Sequence, residues 1–101
     1  MSKFWNIVAR VIDASDVVLL LLDARMVDET RNVDIEERVR MKSKPLIYVI
    51  TKCDLVEKNL MEQWKRTLHP CVFVSSTKYH GLAMLKQRIF VEASRAGIPS
   101  L

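Results

Sequence analysis

Two short polar segments hold the residue types best suited to ligand chemistry in this chain: Thr51-Lys52-Cys53-Asp54 and Ser75-Ser76-Thr77-Lys78. Each offers a lysine ammonium and hydroxyl groups, and the first adds a carboxylate. A carboxylate can accept two parallel hydrogen bonds from one planar donor edge, and its charge makes them stronger than neutral ones. The two cysteines, Cys53 and Cys71, lie far apart with no CxxC spacing, and neither histidine stands at metal-ligand spacing. Both thiols therefore read as reduced and incidental, and neither a metal ligand nor a catalytic residue is assigned. His69 and His80 read as loop residues.

Each polar segment follows an apolar run that can position it. Residues 17–24, VVLLLLDA, form a continuous apolar run ending at an acid, which suits a strand covered by helices on both faces. LIYVIT at 46–51 is a second buried strand rich in β-branched residues, and CVFVS at 71–75 is a third. Between them the periodicity is helical. Phe4, Ile7, Val8, Val11 and Ile12 predict an amphipathic helix over 4–13, and residues 33–44 predict another with a basic last turn that suits the helix dipole. Asn59 is the expected N-cap of a helix to about Leu68 that buries Leu60, Met61 and Trp64. Gly81 precedes a last helix with Leu82, Leu85 and Ile89 on one face; residues 25–32 read as loop and 96–101 as a terminator.

The resulting order, α-β-α-β-α-β-α, predicts one α/β domain over residues 1–101 built on a parallel, right-handed, three-stranded sheet. Ligands of open α/β sheets bind outside the carboxyl ends of the strands. Asp23, Thr51 to Asp54 and Ser75 to Lys78 all fall there, along one edge. Asp23 with Arg25 reads as a structural strand end, and Trp5 and Trp64 as core residues.

Composition bounds the function classes. Half of the 101 residues are apolar and 28% are charged, which suits a folded globular domain with a single core. The longest apolar run, 17–22, has six residues where a membrane span needs ~20, so no membrane role is expected. Arg10, Asp13 and Asp16 interrupt the N-terminal segment, leaving no signal-peptide core; a cytoplasmic protein is the expectation. The net charge of +4 is compatible with weak RNA or phosphate affinity, but the basic residues are interleaved with acids and read as a solvated surface.

With these elements in place, the chain resembles the GTPase family. TKCD is similar to that family's Asn/Thr-Lys-x-Asp guanine box and SSTK to its Ser-Ala-Lys box, each at a strand end, and the twenty positions 55–74 between them fit one helix and one strand. The resemblance implies that Asp54 accepts the N1–H and N2 amine of guanine, a pair of donors adenine lacks. It implies that backbone N–H groups around Thr77 meet the O6 oxygen and that the stems of Lys52 and Lys78 cover the base. The nucleotide contacts implied are Thr51, Lys52, Asp54, Ser75, Ser76, Thr77 and Lys78. Thr51 stands where Asn is commoner, which weakens a tether to the phosphate loop, and Thr77 stands where Ala is commoner.

The order of motifs narrows the family. The phosphate-loop pattern GxxxxGK[ST] is absent, since the glycines are Gly81 and Gly97. VIDASDVVLLLLDAR instead resembles the start of circularly permuted GTPases linked to ribosome assembly, in which the guanine boxes precede the phosphate loop. The resemblance covers residues 4–93 and implies a partial, three-layer, Rossmann-like GTPase domain in permuted order, without phosphate loop or switches. It implies GTP or GDP as a ligand held weakly by this chain, Mg²⁺ only in a full-length parent, and ribosomal RNA or a ribosomal particle as partner. Hydrolysis by the chain alone is not expected. The strand edge at 17–22, which lacks a neighbour in such a partial sheet, is expected to form a homodimer. A protein- or RNA-interaction module with relic boxes remains the alternative; a phospho-receiver fits poorly, lacking the acidic pair near the first strand and a Lys-Pro step.

Overall fold

The computed structural model describes residues 3–75 and 81–97. Their elements are α1 (Lys3–Ala14), β1 (Val18–Asp23), α2 (Val27–Thr30), α3 (Val33–Met41), β2 (Leu46–Thr51), a 3₁₀ turn (Cys53–Leu55), α4 (Lys58–Thr67), β3 (Cys71–Phe73) and α5 (Leu82–Arg95). The three strands form one parallel sheet in the order β1-β2-β3, consistent with a partial Rossmann-like fold. Register runs from Val18 opposite Leu46 to Asp23 opposite Thr51, and from Tyr48 opposite Cys71 to Ile50 opposite Phe73. Strand ends that share a register bring the residues after them to one edge.

Alternation along β2 explains why the sheet is covered twice. Tyr48 and Ile50 face a cluster with Leu22, Ala24, Val27 and Leu68, against which Trp64 of α4 packs. Ile47 and Val49 face the other way, with Val72, Val74 and the α5 residues Leu85 and Ile89. A strand buried on both faces must be apolar at every position, and that is why LIYVIT carries no alternation. β1 is covered less completely: Leu22 is buried, whereas Leu21 on the opposite face is 65% exposed. Among the described residues β1 pairs on one side only, with β2.

Several local expectations change. Residues 25–32 contain the short helix α2, where the Thr30 hydroxyl donates to the Met26 carbonyl at 2.7 Å and accepts the Asp23 N–H at 3.2 Å. α3 stops at Met41 instead of reaching 44, because Ser43 takes a left-handed backbone (φ 57°) that ends the helix. It starts from Asn32, whose side chain accepts the Ile35 N–H at 3.0 Å. α4 begins one residue before Asn59, after Glu57, which makes no side-chain cap. Its helical residues remain half-buried or exposed, and Leu68 just beyond them is the one that enters the core. Leu82 is 49% exposed, so the inner face of α5 starts at Leu85 and runs to Ala93.

A charged network braces the sheet from one side. Glu36 of α3 is 1% exposed and accepts both Arg31 Nε (2.7 Å) and Arg31 Nη2 (2.9 Å), while Tyr48 Oη donates to it at 2.6 Å. Burial pushes the Glu36 carboxyl up, but the Arg31 and Tyr48 hydrogen bonds outweigh it and hold the group below its ordinary range. Burial and the Glu36 carboxylate push the Tyr48 hydroxyl up. The network ties β2 to the segment that follows β1.

α1 has a less finished environment. Trp5 packs beneath the Arg38 guanidinium, 4.1 Å from the ring centroid, and Ile12 is buried. Phe4, Ile7 and Val11, at helical spacing, are each more than half exposed. The expected amphipathic helix therefore carries a second apolar stripe that the described residues leave uncovered. Among the described residues no helix is long and apolar enough to cross a membrane.

Candidate nucleotide-binding site

The first polar segment grows directly out of β2. Thr51, its last residue, donates its hydroxyl to the Leu22 carbonyl at 3.0 Å, so this side chain stitches the ends of β1 and β2 together. Lys52 then turns the chain in a left-handed conformation (φ 59°, ψ 33°), uncommon for a residue with a Cβ. The turn drops Cys53 inward, where it is buried and its N–H reaches the Val74 carbonyl at 3.4 Å. Asp54 consequently emerges on the exposed side of the 3₁₀ turn.

The second segment begins one strand over. Ser75 is 1% exposed, and its hydroxyl donates to Asp54 Oδ1 at 2.8 Å. A buried hydroxyl donating to an exposed carboxylate fixes the rotamer of that carboxylate while leaving it acceptor capacity. Among the described residues no other donor reaches Asp54. The carboxylate is thus oriented and able to accept from a ligand.

Gly81 closes the segment. It has φ 88°, and a Cβ placed on it would collide with the carbonyl oxygen of Phe73 and crowd Val74 Cα. Only glycine lets the start of α5 lie this close to β3. Ser76, Thr77 and Lys78, expected as nucleotide contacts, lie outside the described residues, as does His80. The structure therefore brings together Thr51, Lys52, Asp54 and Ser75 of the expected set.

Asp23 pairs with Arg25 at the strand end, as the sequence suggests, but it also meets Lys52, a contact the sequence did not indicate. Its Oδ1 accepts the Arg25 N–H (2.9 Å) and Arg25 Nε (3.1 Å); its Oδ2 accepts Arg25 Nη2 (2.8 Å) and Lys52 Nζ (3.3 Å). The Arg25 side chain, its backbone N–H and then Lys52 hold the Asp23 carboxyl well below the usual carboxylate range. The register pairing of Asp23 with Thr51 sets Lys52 beside it, and the sequence alone does not carry that register. Among the described residues there is no group of three His, Cys, Asp or Glu side chains able to hold a metal ion. Burial, the largest influence, raises the Cys71 thiol, which disfavours the thiolate.

No family model matches the chain. Its sequence is 44% identical over 85 residues to a GTP-binding protein of Methanocaldococcus jannaschii, a match covering 83% of this chain and 23% of that protein. It is 38% identical over 85 residues to a GTPase of Schizosaccharomyces pombe, covering 78% of this chain and 18% of the relative. Nucleolar GTP-binding protein 2 of Saccharomyces cerevisiae is 43% identical over 69 residues, covering 66% and 14% respectively. The chain spans less than a quarter of the length of each of these relatives. What it resembles, at each match, is one part of a GTP-binding protein.

Proposed function

From that likeness we propose that the chain is the guanine-recognising part of a circularly permuted GTP-binding protein, with Thr51, Lys52, Asp54, Ser75, Ser76, Thr77 and Lys78 as its nucleotide contacts. The observation that carries the site is the Ser75–Asp54 hydrogen bond, which joins the two polar segments at neighbouring strand ends. The donor set fits the base. Asp54 offers two oxygens to the N1–H and N2 amine of guanine, and the Lys52 stem supplies an apolar flank. Phosphate binding, Mg²⁺ and GTP hydrolysis belong to the parent's remaining length, so this chain alone should bind guanosine and GTP with similar affinity, on the order of millimolar.

The parent's setting is proposed to be ribosome assembly, with ribosomal RNA or a ribosomal particle as partner. The word nucleolar in one relative's name favours that compartment over the general cytoplasm. The one-sided pairing of β1 among the described residues and the exposed Leu21 support the proposed homodimer through the 17–22 edge. An interaction module with relic boxes is the second reading, favoured by the uncovered Phe4, Ile7 and Val11 stripe of α1.

Titrating the ¹⁵N-labelled chain with guanosine and with adenosine separates the two. Guanosine should shift the amides around 51–54 and 75–78 at lower concentration than adenosine does. Equal responses to both nucleosides would leave the interaction module as the better account.

A further inference from the structure

We propose that Asp23 is a positioning residue of the base site, an anchor at the end of β1 that holds the Lys52 ammonium and so fixes the lysine stem along the ligand edge. The inference rests on the guanine reading above and adds a residue to it.

Three observations carry it. The first is the division of lone pairs on Asp23. Arg25 occupies both oxygens from its own loop, which would suffice for a strand end, yet Oδ2 also takes Lys52 Nζ from the neighbouring strand at 3.3 Å. The second is the asymmetry of exposure. The Asp23 side chain is 13% exposed, whereas Arg25 and Lys52 are 47% and 52% exposed. The anion is thus sheltered at the root of the cluster and the two cations stand outward, the arrangement of an anchor with its load.

The third is the backbone of Lys52. A left-handed residue with a Cβ costs on the order of 1 kcal/mol, a cost glycine would avoid. A turn alone would be better served by glycine. Retaining a long side chain at a strained position is what a residue used for its side chain requires. A free lysine carries substantial rotamer entropy, and a partner that restricts it before a ligand arrives reduces the ordering needed on binding.

The anchor itself is held. The Asp23 N–H donates to Thr30 Oγ1, α2 follows, and Arg31 is fixed by the buried Glu36. Among the described residues, Asp23, Arg25 and Lys52 are the charged groups of the cluster, and Arg25 has its own contacts with Asp23 that do not involve Lys52. That separation makes the lysine's part testable.

The test is guanosine and adenosine titration of the full chain followed by ¹⁵N amide shifts, for wild type, Asp23→Asn, Lys52→Met and the double variant. Methionine keeps an apolar stem but loses the ammonium that Asp23 holds. Each single variant should bind guanosine about threefold more weakly, and the double variant no more weakly than either, because both break one contact. The preference for guanosine over adenosine should persist in all four, since Asp54 reads the base edge. Wild-type affinity in Lys52→Met, or losses that multiply in the double variant, would overturn the anchor while leaving the guanine site intact. Should Asp23→Asn not fold, Lys52→Met alone decides by the same criterion. No guanosine preference in the wild type would remove the site itself, and the anchor with it.

Discussion

Glu36 and Asp54 are both carboxylates fixed by hydroxyl donors, and the contrast between them separates bracing from the binding proposed for Asp54. Glu36 is sealed, with Arg31 bonded to both oxygens and Tyr48 adding a third donor. Asp54 stands in the open with one oxygen held by Ser75. A carboxylate whose acceptor sites are filled from within the fold stabilises it and has little left for a ligand. A carboxylate oriented by a single buried hydroxyl keeps capacity for a donor edge.

The contrast can be broken at its scaffold first. Gly81→Ala should cost about 3–5 kcal/mol, because it adds a Cβ at positive φ against the Phe73 backbone. Chemical denaturation would show it, and a loss under 1 kcal/mol would mean that α5 can shift away from β3. Glu36→Ala should cost about 2–3 kcal/mol, leaving the Tyr48 hydroxyl and Arg31 without their buried acceptor. In the fraction that stays folded, the ratio of guanosine to adenosine affinity should not change. A changed ratio would mean that the sealed network reaches the ligand edge.

Smaller changes sharpen it. Ser75→Ala should cost about 1 kcal/mol of stability and weaken guanosine severalfold by freeing the Asp54 rotamer. An effect on stability alone would assign Ser75 to the fold and not to the site.

Acid should act on the sealed side. The folded Glu36 carboxyl titrates below its ordinary value of 4.5, so its contribution is complete above that value and is lost as pH falls through the folded one. The unfolding midpoint should therefore decline on acidification below that value, and less steeply in Glu36→Gln. A decline identical in both proteins would place the acid sensitivity elsewhere, with Asp23 the first alternative. For the proposed dimer edge, Leu21→Lys is a better probe than a change at Leu20, because Leu20 packs against the core while Leu21 is 65% exposed. Light scattering across micromolar concentrations should show association in the wild type and less in this variant. A wild type monomeric throughout would mean that the β1 edge is not self-complementary.

Most of the sheet was legible because its strands are apolar on both faces, a pattern that in runs of six residues excludes a surface helix. Legibility fell where backbone conformation decided the outcome. Ser43 ended α3 three residues early by adopting positive φ, and nothing in VDIEERVRMKSK signals that. α2 was hidden because its four residues owe their turn to Thr30 hydrogen bonds, and no apolar period marks them. At the site, Lys52 and Asp54 could be found from their place after a buried strand. The contact between Asp23 and Lys52 could not, because it joins residues twenty-nine positions apart that only the β1–β2 register brings alongside.

The central claim is that Asp54, oriented by Ser75, reads a guanine edge, and the direct measurement is base preference in Asp54→Asn. An asparagine keeps an acceptor for N1–H but offers its amide N–H where guanine presents a second donor. Xanthine, with a carbonyl at that position, suits the amide. Amide-shift titrations of wild type and Asp54→Asn with guanosine and xanthosine should show guanosine weakened by about 1.5–3 kcal/mol in the variant and the preference moved toward xanthosine. The same guanosine affinity in both proteins would contradict the account by removing Asp54 from the site.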